Sequence, residues 1–318
     1  MKRIAIIGAG SWGTALAIMA ARAGHLVQLW SRNPQKSVEI PSSVTLTSEL
    51  NAVIDEADLV LFAAPSHTAR ELFTALSPHL EEGAIIVSAA KGIEVETGKR
   101  ISEIVKEIAG TTHPFVCLSG PSFAKEVVAG HPTAIVAASK DAAAARVVQH
   151  ELSFENLRIY TNADVIGTEI GGSVKNVMAI AAGMAAGLGF GSNSVAALIT
   201  RGLAEITRLA RREGAHMETL MGLAGLGDLV LTCTGSLSRN RFVGEELGKG
   251  RSLEDIVAEM NEVAEGINTA RAVKKLADRA NLEMPIVNEV NAVLYENKSA
   301  RDAVSELMSR PLREETQT

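Results

Sequence analysis

Residues Ile4–Ala17 read IAIIGAGSWGTALA. An apolar, strand-like run leads into Gly8, Gly10 and Gly13, spaced G-x-G-x-x-G, and a helical run follows. That spacing is a weak signal by itself. Placed between a strand and a helix it becomes informative. Gly8 permits a tight turn, Gly10 lets a pyrophosphate approach the backbone, and Gly13 lets the helix lie against the strand. The helix N-terminus then faces the anion. A glycine turn without a ligand is the plainer alternative, but strand, spacing and helix together favour a dinucleotide.

Working outward, short apolar runs alternate with helical segments as far as Thr161. Candidate strands are Arg3–Ile7, Leu26–Trp30, Leu59–Ala63, Ala84–Ser88, Phe115–Ser119, Thr133–Ala138 and Leu157–Tyr160. They are apolar on both faces, as strands of a parallel sheet covered on both sides must be. Ser11–Ala23, Thr68–Leu76, Gly98–Ala109 and Asp141–Glu151 have helical period. This is the α/β doubly wound pattern. After Asp164 no strand signal remains. Helix starts are marked by Ser192/Asn193, by Ser252 with Asp255 and by Ser299 with Asp302. The expected organisation is a dinucleotide-binding domain over residues 1–170 and an all-helical substrate or catalytic domain over 171–318.

The second strand bears on which dinucleotide is bound. An NAD site usually ends that strand with an acidic residue for the ribose 2′-hydroxyl. Here Trp30 is followed by Ser31, Arg32 and Asn33. Arg32 suits a 2′-phosphate, so NADP(H) is preferred and NAD(H) possible. The alternative is a solvated loop arginine.

Composition narrows the remaining classes. The chain has 318 residues, 47% of them hydrophobic but only 3% aromatic, so its core must be built from aliphatic side chains. A net charge of −6 argues against a nucleic-acid partner. The two cysteines, Cys117 and Cys233, lack metal-ligand spacing and make no disulfide framework; no metal is expected. The N-terminal run resembles a signal peptide, but the glycine pattern and Trp12 interrupt it. The apolar run Val177–Thr200 is broken at Gly187, Gly189 and Gly191, which suits two buried helices and a turn better than a membrane span.

Four further stretches could carry chemistry. SAAKGIE (Ser88–Glu94) puts Lys91 just past a strand, and SGPSFAKEV (Ser119–Val127) puts Gly120 and Ser122 past another. The carboxyl ends of strands face the ligand crevice in such sheets. A surface turn is the bland reading of Lys91. GLAGLGDLVLTCTGSLSRNRFVGEEL (Gly222–Leu247) contains Asp228, whose plain reading is a helix N-cap. It also places Ser238, Arg239 and Asn240 at a helix start, where an arginine suits a phosphate. Capping with a surface ion pair would explain the same residues. GGSVKNVMAIAAG (Gly171–Gly183) holds Lys175 among apolar neighbours. A lysine there needs a partner whether it is structural or catalytic, and Asp228 is the candidate for both roles.

GAGSWGTALA, AAKGIE, SGPSFAKEV, GGSVKNVMAIAAG and GLGDLVLTCTGSLSRNR occur in that order. Together they resemble the bacterial NAD(P)-dependent glycerol-3-phosphate dehydrogenase family over nearly the whole chain. The resemblance implies a Rossmann domain followed by a helical domain, and reversible hydride transfer between NAD(P)H and dihydroxyacetone phosphate to give sn-glycerol 3-phosphate. It implies that Lys175 is the proton donor and acceptor and that Lys91 touches both cofactor and substrate. Gly120, Ser122, Asp228, Ser238, Arg239 and Asn240 fall on substrate positions, with Arg239 also within reach of the cofactor. Ser11, Trp12, Arg32, Ala124, Val263 and Glu265 fall on cofactor positions. A cytoplasmic homodimer feeding glycerophospholipid synthesis is implied as well. The segment Ser31–Leu50 looks short for the family. The rivals are another two-domain NADP-dependent dehydrogenase, acting on a hydroxy acid or a ketopantoate-like substrate, and a catalytically silent NADP-binding regulator.

Overall fold

A computed structural model of the chain describes residues 1–34, 40–260, 262–312 and 314–315. The centre of the short segment after the second strand, residues 35–39, and the C-terminal residues 316–318 of the expected helical domain lie outside the described residues. The chain divides into two compact units: Met1–Lys91 with Lys99–Glu169, and Gly92–Gly98 with Ile170–Thr318.

The first unit is an eight-stranded sheet in the order β3-β2-β1-β4-β5-β6-β7-β8. Its strands are β1 (Arg3–Ile7), β2 (Leu26–Trp30), β3 (Val44–Thr47), β4 (Leu59–Phe62), β5 (Ile85–Ser88), β6 (Phe115–Ser119), β7 (Thr133–Ala138) and β8 (Leu157–Asn162). Its helices are α1 (Ser11–Arg22), α2 (Leu50–Val53), α3 (Ala69–Leu76), α4 (Ile101–Ala109), α5 (Ala124–Val128) and α6 (Ala142–Leu152). Alternate residues of one strand enter different cores. Ile4 and Ile6 of β1 pack with Leu16 of α1 and Val148 of α6. Ala5 and Ile7 pack with Phe73 of α3 and Ile104 of α4. Both faces of the sheet are thereby covered, which explains the apolar reading of its strands.

Two features depart from the sequence reading. β3, Val-Thr-Leu-Thr at the sheet edge, was missed because it has no continuous apolar run. β7 runs antiparallel to β6, whereas a wholly parallel sheet was expected. The link between them holds only the five-residue α5, little helix for the crossover that a parallel return requires. β1, β2, β4, β5 and β6 remain mutually parallel, so their carboxyl ends share one edge.

The second unit is helical. Its elements are α7 (Val165–Gly187), α8 (Ser192–Arg212), α9 (Met217–Met221), a π-helical turn (Leu223–Gly227), α10 (Asp228–Thr234), α11 (Arg239–Gly248), α12 (Leu253–Glu259), α13 (Glu265–Ala280), α14 (Pro285–Tyr295) and α15 (Ala300–Ser309). Ser252 and Ser299 cap α12 and α15 by accepting the N–H of Asp255 and Asp302. At α8 the cap is Gly191 and no side chain takes part, so the expected Ser192/Asn193 cap is not formed. The run Val177–Thr200 does break into two helices, but only α7 is buried along its part of the run. Ser192–Ser194, Ala196, Ala197 and Thr200 are exposed, and the buried residues of α8 begin at Gly202.

α7 and α11 approach to backbone contact. A Cβ on Gly183 would lie 2.0 Å from the Arg241 carbonyl oxygen, and one on Gly244 would lie 1.9 Å from that of Ile180. Gly187 and Gly248 repeat the arrangement one turn on, with a Cβ at 2.1 Å from the Glu245 oxygen and 2.5 Å from the Met184 oxygen respectively.

Glu205 of α8 is buried and accepts the N–H groups of Ile286 (2.8 Å) and Val287 (3.3 Å) at the start of α14. Burial pushes its carboxyl up to about 7, although both backbone donors pull it down. An ordinary glutamate titrates at about 4.3. A raised folded-state value contributes stability that is full below the unfolded value and is lost as pH rises through the folded one. Glu205→Gln keeps an acceptor oxygen and removes the titration. Its melting temperature relative to the parent should therefore climb between pH 5 and pH 8, by an amount corresponding to about 1–3 kcal/mol. A difference that is flat or falling with pH would refute the assignment.

Candidate active site

In the first unit the glycine loop follows β1. Gly8 has φ +112°, and a Cβ there would lie 2.6 Å from the Ala64 nitrogen. A Cβ on Gly13 would lie 1.9 Å from the Gly8 oxygen, so α1 packs onto the turn only with glycine in place. Gly10 is different: a Cβ there meets nothing within 4 Å among the described residues. No side chain caps α1. Trp12 Nε1 is buried without a hydrogen-bond partner among the described residues. Open space over Gly10, an uncapped helix start and an orphaned donor fit a dinucleotide phosphate.

Arg32 lies at the same sheet edge. The N–H of Gly8 donates to the Trp30 carbonyl at 3.0 Å, and Arg32 follows Trp30 by two residues, exposed. Ser31 Oγ accepts the N–H of Asn33 at 3.3 Å. Farther along that edge, beyond β5 and β6, Lys91 Nζ donates to the Gly120 carbonyl at 2.9 Å and Ser122 Oγ donates to the same oxygen at 3.0 Å. Ala124 opens α5 immediately afterwards. The structure thus brings Lys91, Gly120 and Ser122 together.

In the second unit Lys175 sits near the middle of α7. It is 5% exposed and Asp228 is 1% exposed. Lys175 Nζ donates to Asp228 Oδ1 and, at 2.7 Å, to Thr232 Oγ1. The hydroxyl of Thr232 in turn donates to the Asp228 backbone carbonyl oxygen at 2.6 Å. Asp228 is not an N-cap as its plain reading had it. The π-helical turn runs directly into α10, Gly227 before it is already helical, and the carboxylate turns to the lysine instead. Sequence reasoning missed Thr232. Its position four residues after Asp228 on one helix was the available signal.

A second network adjoins the first. Asn240 Nδ2 donates to Asn176 Oδ1 at 3.0 Å, and the N–H of Gly266 donates to Asn240 Oδ1 at 2.9 Å. Asn176, next to Lys175, was also missed. Ser238 caps α11 by accepting the Arg241 N–H at 3.2 Å. Arg239, first in α11, reaches Glu262 at 3.0 Å. Glu265 opens α13 and Val263 is exposed two residues earlier, so both lie on the segment that Asn240 ties to the start of α11. A buried ammonium beside a carboxylate and a hydroxyl is equipped to exchange a proton with an oxygen substrate.

Comparison with known proteins agrees with these motifs. A family model described as NAD-dependent glycerol-3-phosphate dehydrogenase C-terminus matches residues 164–305. Its N-terminal counterpart matches residues 3–40 and 34–145, two pieces that overlap within the segment Ser31–Leu50. Glycerol-3-phosphate dehydrogenase [NAD(P)+] of Koribacter versatilis is 52% identical over 330 residues, covering 98% of each chain. The protein of the same name from Citrifermentans bemidjiense is 48% identical and covers 99% of each. The crystal structure of glycerol-3-phosphate dehydrogenase from Coxiella burnetii superposes with a TM-score of 0.94 at 38% identity, covering 97% of this chain and 99% of that one. With both halves matched and relatives this similar from end to end, the chain belongs to the NAD-dependent glycerol-3-phosphate dehydrogenase family.

Proposed function

We propose that the protein interconverts dihydroxyacetone phosphate and sn-glycerol 3-phosphate with NAD(P)H as cofactor. The observation that carries this reading is the buried Lys175, held by Asp228 and Thr232. The nicotinamide, when bound, supplies the hydride that reduces the ketone carbon. Lys175 gives its proton to the oxygen that becomes the alcohol, and takes it back in the reverse direction. Its ammonium also stabilises negative charge growing on that oxygen. Asp228 balances the charge of the ammonium, and Thr232 fixes its direction. Arg239, Ser238 and Asn240 bind the substrate phosphate, with the start of α11 adding its partial positive charge. Binding energy gained there is spent away from the reacting carbon. Lys91, Gly120 and Ser122 line the substrate, Lys91 also meeting the cofactor. Gly8, Gly10, Ser11, Trp12, Gly13, Arg32, Ala124, Val263 and Glu265 serve the cofactor, Arg239 with them. On this reading residues 1–170 hold the dinucleotide and 171–318 the substrate and the proton donor.

The same reading makes the protein a cytoplasmic homodimer in phospholipid synthesis. No helix among the described residues is long and apolar enough to cross a membrane.

The test is oxidation of NADPH and of NADH with and without dihydroxyacetone phosphate, in the parent and in Arg32→Ala. Oxidation should require the phosphorylated ketone. The variant should raise the KM for NADPH about tenfold or more, since a charge-assisted pair with the 2′-phosphate is lost, and leave NADH nearly unchanged. Activity with a hydroxy acid or ketopantoate instead, or no turnover, would overturn the function. Equal loss with both cofactors would remove Arg32 from the 2′-phosphate.

A further inference from the structure

Among the arginines of α11, Arg239 alone opens the helix, and its contact differs in kind from that of Arg241. Arg241 pairs with Glu245 within the helix, four residues on, at 3.3 Å. Arg239 pairs with Glu262, on the segment joining α12 to α13, at 3.0 Å. Just past that segment, the N–H of Gly266 in the first turn of α13 donates to the buried Asn240 of α11 at 2.9 Å, and the ion pair itself sets the Glu262 carboxylate beside the start of α11. A carboxylate there is favoured twice, by the guanidinium and by the partial positive charge of the helix N-terminus. A phosphate would be favoured by the same two features. Both partners are substantially exposed, with side-chain accessibilities of 47% and 36%, so the pair is screened and weak. A phosphate monoester carries more charge at neutral pH and three acceptor oxygens, which is enough to displace it.

We propose that Glu262 competes with the substrate phosphate for the Arg239 guanidinium, and so sets the KM for the phosphorylated ketone. This rests on Arg239 being the phosphate-binding arginine. Glu262 acts on affinity alone and equally on every anion that Arg239 binds, because the ion pair must open before any of them enters.

Glu262→Gln keeps the length of the side chain and removes the competing charge. An exposed ion pair corresponds to a factor of about two to five. The KM for dihydroxyacetone phosphate, at saturating NADPH, should fall by that factor with kcat unchanged. The inhibition constant of inorganic phosphate should fall in parallel. NADPH affinity, followed by fluorescence, should stay the same. In an Arg239→Ala background the same substitution should change nothing. An unchanged or raised KM in Glu262→Gln, with Arg239→Ala alone still impairing the phosphorylated substrate, would overturn the competition and leave Arg239 in place. Arg239→Ala without effect on that KM would overturn the phosphate reading and the competition together. A change confined to NADPH affinity would reassign Glu262 to the cofactor and overturn the proposal.

Discussion

Lys175→Met should lower kcat about 10²–10⁴-fold through loss of the positioned proton donor, with a further loss from the missing positive charge. The substitution also leaves Asp228, 1% exposed, without its ammonium. Breaking a buried pair from one side typically costs about 3–5 kcal/mol, so the melting temperature should fall as well. A second variant separates the two effects. Lys175→Met with Asp228→Asn removes both charges and keeps the volume, and Thr232 remains beside the amide. It should regain most of the lost stability and none of the turnover. NADPH binding should persist in both variants, because the glycine loop is untouched. If the double variant recovered near-normal kcat along with stability, Lys175 would be a structural residue and its catalytic role would be excluded.

Arg239→Ala should reduce kcat/KM for dihydroxyacetone phosphate about 10- to 100-fold, the equivalent of one charge-assisted hydrogen-bonding partner. Stability should barely change, since the ion pair with Glu262 is solvent-screened. Unphosphorylated dihydroxyacetone, a poor substrate throughout, has no group for this arginine to bind, and its turnover should be nearly insensitive. Steady-state rates on both ketones are the measurement. Equal losses on the two would place Arg239 away from the phosphate.

The glycine loop was legible because three steric requirements coincide in a few residues: the positive φ of Gly8, the space above Gly10 and the contact of Gly13 with the turn. The strands of the first unit were legible because burial on both faces forces continuous apolar runs; β3, a half-polar edge strand, escaped for the same reason. Lys175 and Asp228 stood out as charges with apolar neighbours. Thr232 and Asn176 did not, because a threonine or asparagine in a helix carries no mark of being buried until its neighbours are known. Asp228 looked like a cap because a glycine-rich turn before an aspartate usually ends in one. Here that turn is itself helical, with π geometry, and no residue pattern in it marks the difference. The start of α8 was read as buried from composition alone, and composition does not say which stretch of an apolar run is covered.

The backbone contact between α7 and α11 has a consequence for how the protein can change over time. Glycine is about 1 kcal/mol poorer than alanine in a helix interior, so Gly183 and Gly244, inside α7 and α11, are the obvious places to look for a hardier protein by exchange to alanine, with Gly187 and Gly248 at the helix ends next in line. Every one of those exchanges would drive a methyl group into a facing main-chain atom. Adaptation to heat must therefore go around this seam, through surface charge, loops or subunit contacts, and the four positions should stay fixed in variants selected for thermal tolerance. The seam runs from the lysine's own helix to the helix that begins at Arg239, so the same four hydrogens in place of side chains set how closely the helices carrying Lys175 and Arg239 approach.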